Sequence, residues 1–207
     1  MAGRVVDILN IRWCALWFVA AASLMSGCVS LEQKRCAVEA INKEFRRDYE
    51  AILAKDGTRV FPVSRAEAYD AVRVVMARLR MTVESQDPVL GFVSVYGPAP
   101  LPLSNEDWEQ ASDAELPRAR AIIEPCVGAL AANLFKFEPE GLEGVIRGTV
   151  VELPAGTAIS FTARMREVAP PRTGFPRREY LPPTAVRLAL VKMWAEIDRE
   201  FKATVRR

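Results

Sequence analysis

The stretch that decides the fold runs from Leu142 to Leu153 (LEGVIRGTVVEL), turns at Pro154-Ala155-Gly156 and continues from Thr157 to Val168 (TAISFTARMREV). In its second half, apolar and polar residues alternate, which is typical of a strand with one buried face and one face in water. The apolar positions are Ile159, Phe161, Ala163 and Met165, and the polar ones are Ser160, Thr162, Arg164 and Arg166. This stretch therefore predicts a β-hairpin within an antiparallel sheet.

A second hairpin is predicted upstream. Met81 to Gln86 alternates as a half-buried strand should, Asp87-Pro88 ends it, and Gly91 to Gly97 (GFVSVYG) supplies the partner strand. Amphipathic helices are predicted over about 65–79 and from Thr184 onward, because apolar residues recur there at helical spacing. We therefore expect an α+β fold in which two β-hairpins join into one antiparallel sheet packed by helices.

Residues 98–117 separate the two hairpins and have a different composition, with four prolines and five acidic residues around Trp108. This composition predicts an inserted loop with little regular structure. The following residues, 118–135, are apolar and rich in alanine, so a helix is expected there, kinked or split at Pro125. The predicted order is α-β-β-insertion-β-β-α within a single domain, residues 58–207.

An N-terminal helix is predicted before this domain. Ser30-Leu31-Glu32-Gln33 matches a capping box, a helical pattern extends to about Ala54, and Asp56-Gly57 ends it. We assign residues 28–57 to this N-terminal helical segment. Three arrangements remain open at this point: the helix could lift the domain off a membrane, lie across the membrane surface, or pack onto the domain.

The chain begins with the features of a secretory signal peptide. Arg4 and Arg12 give a positive amino-terminal region, Trp13 to Leu24 is a stretch of 12 residues of apolar character, and the small residues Ser26 and Gly27 follow. A membrane-spanning helix needs about 20 apolar residues, so this stretch is too short to be one. A buried core helix is the alternative interpretation.

The end of this segment, Leu24-Met25-Ser26-Gly27-Cys28, resembles the lipobox of bacterial lipoproteins. The resemblance implies that residues 1–27 are removed and that Cys28 receives a diacylglyceryl thioether and an acylated amine. Two or more acyl chains anchor a protein stably. Because Val29 rather than Asp follows the cysteine, the sorting rule of enteric bacteria implies an outer-membrane location, with the domain facing the periplasm. Ordinary cleavage that leaves a free thiol on Cys28 is the alternative.

Two cysteines remain after this processing. Cys14 lies in the removed segment and Cys28 is the predicted lipidation site, which leaves Cys36 and Cys126. Two thiols in an oxidising compartment are most simply interpreted as one disulfide. The alternative is a pair of unbonded thiols that act as small buried apolar residues.

The composition excludes several function classes. The chain has no His, so it cannot form a Ser-His-Asp triad, a Cys-His pair or a His-containing zinc site. Its formal net charge is only +2, which argues against a nucleic-acid-binding protein. The sequence has no phosphate-binding loop, nucleophile elbow or metal-ligand set, and acids beside Trp108 are a weak candidate for a glycan-cleaving pair. We therefore expect no enzyme, no metal and no cofactor.

An arginine-rich segment is the best candidate binding site. Its candidate residues for an anionic partner are Arg164, Arg166, Arg172, Arg177 and Arg178, with Arg187, Phe175 and Tyr180 nearby. Guanidinium groups pair well with phosphate and carboxylate groups. The candidate partners are an envelope protein, anionic lipid and peptidoglycan carboxylates. The alternative is that these arginines form surface ion pairs with the acidic stretch 106–115 of the same chain.

Together these features predict a membrane-anchored envelope lipoprotein with a non-enzymatic structural or accessory role. The alternative is a lipoprotein that binds a lipid or glycan in a cavity between the sheet and the helices. The apolar row from Ile159 to Met165 distinguishes the two, because helices that cover it fully would leave no such cavity.

Overall fold

The computed structural model describes residues 29–169 and 179–204. Along this part of the chain, helices and strands follow one another with short connections. The elements are α1 (Leu31–Asp56), β1 (Thr58–Phe61), α2 (Arg65–Arg78), β2 (Thr82–Asp87), β3 (Phe92–Pro98), α3 (Asn105–Leu134), β4 (Leu142–Leu153), β5 (Gly156–Glu167) and α4 (Pro183–Thr204).

The strands form one five-stranded sheet in the order β1-β5-β4-β3-β2, with every neighbouring pair antiparallel. The hairpins β2–β3 and β4–β5 join through the pairing of β3 with β4, in which Val95 lies opposite Ile146. Within β4–β5, Gly148 lies opposite Phe161. The predicted α+β fold and the two hairpins are therefore confirmed.

The helices cover the apolar face of the sheet. Ile159, Phe161, Ala163 and Met165 are 0%, 1%, 3% and 7% exposed. Helix α2 crosses this face at Gly148, where a Cβ atom would lie 3.2 Å from Val72 Cγ1 and 3.3 Å from the ring of Phe161. The missing side chain at Gly148 lets α2 approach the sheet closely, since a Cβ at such distances would displace its neighbours.

Helix α4 fills the core beside β5. The ring of Trp194 lies 4.8 Å from that of Phe161, and its Nε1 donates a hydrogen bond to the Asp56 carbonyl at 2.8 Å. Val186, Leu190 and Ile197 are buried on the same side of the helix. The predicted apolar stripe of the last helix is confirmed, and its tryptophan also holds the end of α1.

Of the three arrangements left open for α1, the structure has the helix packed onto the domain. Six of its residues belong to the common hydrophobic core: Ala37, Val38, Ile41, Phe45, Tyr49 and Ile52. Phe45 stacks on Phe137 with ring centroids 6.0 Å apart. The described part of segment 28–57 is therefore not separate from the domain assigned to residues 58–207.

The prediction of an unstructured insertion over 98–117 is wrong from Asn105 onward, because α3 begins there. Ser104 caps the helix, since its Oγ accepts a hydrogen bond from the Asp107 amide at 3.1 Å while an Asp107 carboxylate oxygen accepts from the Ser104 amide at 3.3 Å. The helix continues through Pro117 and Pro125, and the backbone leaves helical geometry at Gly128 (φ 79°). Burial of apolar residues on one side, Trp108 among them, outweighs the prolines.

Two further expectations are corrected at the sheet edges. β1 was not predicted, although it pairs with β5 from Thr58 opposite Ser160 to Phe61 opposite Thr157. β2 was predicted to be half-buried, but it forms the other edge of the sheet and Val83 is 47% exposed. Residues at an edge have neighbours on one side only, so alternation in a short segment does not establish burial.

The predicted disulfide between Cys36 and Cys126 is confirmed, with a Cα–Cα distance of 5.7 Å. It joins α1 to α3 across a sequence separation of 90 residues. A crosslink over so long a loop restricts the unfolded chain strongly, so it stabilises the packing of the two helices.

Removing this crosslink should destabilise the protein markedly. We expect the double variant Cys36→Ser/Cys126→Ser to lose about 2–5 kcal/mol of unfolding free energy, because its unfolded chain is no longer restricted. Urea unfolding of the purified protein measures this loss. A reductant should lower the urea midpoint of the wild type and leave that of the double variant unchanged. Equal midpoints for the two proteins without reductant would contradict the prediction.

Candidate functional site

The face of the sheet opposite the apolar row of β5 is largely exposed in the described part of the chain. We call it the open face. It is formed by the outward-pointing residues of β3, β4 and β5 at the centre of the sheet: Tyr96, Val145, Arg147, Thr162, Arg164 and Arg166. Strand register places Arg147 opposite Thr162 and Val145 opposite Arg164. The three arginines therefore lie on adjacent rungs of one surface.

Arg166 is held by two carboxylates, one on the neighbouring strand β4 and one on the edge strand β2. Its Nη1 donates to Glu84 at 2.7 Å, and its Nε and Nη2 donate to one oxygen of Glu143 at 3.2 and 2.8 Å. The guanidinium also lies 5.5 Å from the centroid of the Tyr96 ring. Because the Arg166 side chain is 44% exposed, each pair contributes little to stability, but together they fix its orientation.

Glu84 lies where the register between β2 and β3 shifts, between Val83 and Ser85. Its carboxylate accepts hydrogen bonds from Arg166 and, at 3.0 Å, from the buried Ser94 hydroxyl. These bonds, the one from Arg166 above all, lower the pKa of Glu84 below its ordinary value. The stabilisation is therefore complete above the ordinary pKa and is lost as the pH falls through the lowered one.

Arg147 and Arg164 differ from Arg166, since both are exposed and neither has a carboxylate partner among the described residues. Arg164 lies with its guanidinium 5.7 Å from the centroid of the Tyr180 ring. An aromatic ring beside a guanidinium favours the cation and leaves its N–H groups available. These two side chains can donate hydrogen bonds to a carboxylate or a phosphate.

The three arginines border a groove of about 560 Å³. Its lining comes from α1, β2, β4 and β5: Tyr49, Leu53, Glu84, Val145, Arg147, Thr162, Arg164, Met165 and Arg166. Apolar surface, two available guanidinium groups and one ion-paired carboxylate therefore meet in one concave site. Such a site can bind an extended acidic segment, because its cations attract carboxylates and its apolar wall accommodates the intervening side chains.

The sequence analysis named only part of this site. Arg164 and Arg166 lie where the alternation of β5 predicted them, on the wet face. The alternative that these arginines form surface ion pairs holds for Arg166, although its partners are Glu84 and Glu143 and not residues of the stretch 106–115. Cys28, Arg172, Arg177 and Arg178 lie outside the described residues.

Arg147 was missed by the sequence analysis. Its signal was the alternation Val145-Ile146-Arg147, in which Ile146 is buried and Arg147 is exposed on the other face. That pattern identifies the face of β4 on which Arg147 lies. Only the register between β4 and β5, with Arg147 opposite Thr162, brings it next to Arg164.

Trp108, which lies among the acids of the glycan candidate, is not exposed as stacking on a sugar would require. Trp108 is 4% exposed, and its Nε1 donates to the Phe137 carbonyl at 3.2 Å. Its ring therefore packs in the core and offers no face for a sugar. Within the two described ranges, no group of three Asp, Glu or Cys side chains is placed to hold a metal ion.

Comparisons with known proteins give no relative for this chain: no family model matches it, and neither does any curated protein. Among the helices of the described ranges, none combines the length and the apolar character needed to cross a bilayer. The chemistry of the site must therefore be argued from its own residues.

The Arg166–Glu84 contact predicts a specific titration. We expect the pKa of Glu84 to lie below its ordinary value in the wild type and to rise in Arg166→Gln, because the strongest hydrogen bond to the carboxylate is then lost. Carboxyl NMR shifts followed against pH measure it. Arg59→Gln is the matched control, since Arg59 pairs with Asp198 elsewhere. An unchanged Glu84 titration in Arg166→Gln would refute the contact.

Proposed function

We propose that this protein is a lipid-anchored accessory protein of the bacterial cell envelope, which acts by binding an acidic segment of another envelope protein. The observation that carries the proposal is the groove on the open face, where Arg147 and Arg164 offer guanidinium groups without carboxylate partners among the described residues. Charged groups at the edge of a binding site raise the rate of association with an oppositely charged partner and give specificity for that partner. An accessory protein that binds another protein needs both properties.

The location rests on the sequence. The stretch Leu24 to Cys28 resembles a lipobox, and Val29 after the cysteine favours the outer membrane, with the domain in the periplasm. The Cys36–Cys126 disulfide supports a compartment of this kind, since disulfides persist where the environment is oxidising. Lipidation at Cys28 and the outer-membrane location are part of the proposal.

A binding role suits the groups that face the groove better than catalysis does. Guanidinium groups stay protonated at every physiological pH, so Arg147 and Arg164 recognise anions but do not exchange protons. The one carboxylate of the groove, Glu84, is kept ionised by Arg166 and Ser94 and is therefore a poor proton donor at neutral pH. These are properties of a recognition surface.

The alternative function, a lipid or glycan held between the sheet and the helices, has less support. Such a ligand needs space along the apolar row of β5. Ile159 and Phe161 are at most 1% exposed there, and the ring of Trp194 packs against Phe161 at 4.8 Å. Protein side chains occupy the volume that the ligand would need, so binding on the open face is favoured.

Mass spectrometry tests the anchor. The protein purified from membranes should lack residues 1–27 and carry the added mass of a diacylglyceryl group and an amide-linked acyl chain. Both additions should disappear in Cys28→Ala, because the thioether cannot form. A wild-type mass without acyl groups would contradict the anchor and the assigned location.

Charge reversal tests the groove. We expect Arg147→Glu/Arg164→Glu to reduce crosslinking to an envelope protein at least tenfold, because each lost charge-assisted hydrogen bond costs about 1.5–3 kcal/mol. Arg73→Glu is the control, since Arg73 lies on α2, away from the groove, and is also exposed. The wild-type contact should also weaken as salt is raised.

The same variants separate the other candidate partners. If the double variant lost binding to isolated peptidoglycan or to anionic vesicles but kept its protein crosslinks, that ligand, and not an acidic protein, would be the partner of the groove. Unchanged crosslinking by the double variant would refute the role of the groove.

A further inference from the structure

The C-terminal end of α3 is exposed and apolar. Residues 125–135 (PCVGALAANLF) contain no charged residue. The backbone breaks at Gly128, where no atom lies within 4 Å of the position of a Cβ, so the chain there projects into open space. Beyond the break, Leu130 is 69% exposed and Leu134 is 71% exposed. We call residues 125–134 the apolar tip.

The apolar tip lies at the same end of the molecule as the start of α1. The two helices are antiparallel, since α3 pairs Arg118 with Asp48 and bonds Cys126 to Cys36. The chain beyond Cys126 therefore lies beside the N-terminal turns of α1 up to the break at Gly128. From there it turns back, since Arg120 donates a hydrogen bond to the Phe135 carbonyl and Phe137 stacks on Phe45. Leu130 is four residues past Cys126, which limits its Cα to about 15 Å from that of Cys126.

The proposed anchor emerges at this same end. Leu31 precedes Cys36 by five residues, about 7.5 Å along the helix axis. Val29 packs against the hydrophobic core, and Ser30 caps the helix. Cys28 adjoins Val29, so acyl chains on Cys28 would leave the protein about 4 Å from a residue fixed to the domain. No flexible linker intervenes to hold this end away from the bilayer.

We propose that the apolar tip and Leu31, which is 61% exposed, form a membrane-contact surface. The occupant is the bilayer in which Cys28 is anchored, and the inference therefore rests on the proposed lipidation. Leu31 and Leu130 enter the boundary between headgroups and acyl chains, a layer about 5–10 Å deep. Tethering makes even weak insertion effective, because the membrane is always at high local concentration.

The start of α1 carries charges of both signs. Lys34 and Arg35 lie on the first turns of the helix, and Glu32 is exposed next to Leu31. Long cationic side chains next to an inserted apolar surface contact lipid phosphates, while their aliphatic stems stay in the interface. Because the charges nearly balance, the exposed leucines are the main contribution to the membrane contact.

The opposite end supplies a matched control. Val89, 81% exposed, lies in the β2–β3 turn. The next strand begins at Phe92, which is in register with Thr149 and through it with Ser160 and Thr58, two residues past the end of α1. Val89 is therefore separated from the apolar tip by roughly the length of α1, about 39 Å for 26 residues.

Fluorescence quenching tests the inference on the lipidated protein, reconstituted in phosphatidylcholine–phosphatidylglycerol vesicles with brominated acyl chains. The two tryptophans outside residues 1–27, Trp108 and Trp194, are buried and give a constant background. We expect the indole introduced by Leu130→Trp to lose most of its emission to the brominated lipid, and that of Val89→Trp to keep it. Quenching should persist in 1 M salt, because apolar insertion is not screened.

The outcomes are distinct. Unquenched Leu130→Trp on protein whose intact mass shows acyl groups would overturn the membrane contact and leave the lipid anchor standing. A blue-shifted but unquenched indole would also overturn it, and would show that a protein or a second copy covers the tip. A mass without acyl groups would remove the anchor itself, and the inference with it.

Discussion

The apolar face of the β4–β5 hairpin is the constraint on which the rest of the structure depends. Two long strands present a row of apolar side chains that water must not reach, and burial of apolar surface is the dominant favourable term in folding. Gly148 admits α2 onto the row, and Trp194 of α4 covers Phe161. Because the helices gather on this face, the other face is left to carry the exposed arginines.

The elements that the sequence predicts correctly are those whose signal is local. Alternation along β5 and the apolar stripe of α4 each lie within one segment, so they could be recognised without knowledge of the fold. The length of α3 could not, since its prolines and acids favour a loop while its stabilising contacts are distant. Buried Glu115, for example, accepts hydrogen bonds from the Thr184 amide and hydroxyl at 3.1 and 2.6 Å. Such a contact leaves no local pattern.

The candidate site could likewise be predicted from the sequence only in part. The side on which Arg164 and Arg166 lie follows from alternation alone, whereas the difference between them depends on other strands of the sheet. Arg166 is neutralised because β2 and β4 place Glu84 and Glu143 beside it, and Arg164 is not. Which arginine is available to a partner is therefore a property of register, and no single segment encodes register.

The two proposed surfaces constrain each other through α1. If Cys28 carries the acyl chains, the anchor is joined to a helix whose start packs through Val29 and whose second turn is bonded to α3. A leading helix on a flexible linker would let the domain rotate freely above the bilayer. Here Val29, the residue that follows Cys28, packs in the same body as the apolar tip and the sheet. Contact of the apolar tip with lipid would then fix the direction in which the groove faces, so a partner would meet Arg147 and Arg164 in one orientation.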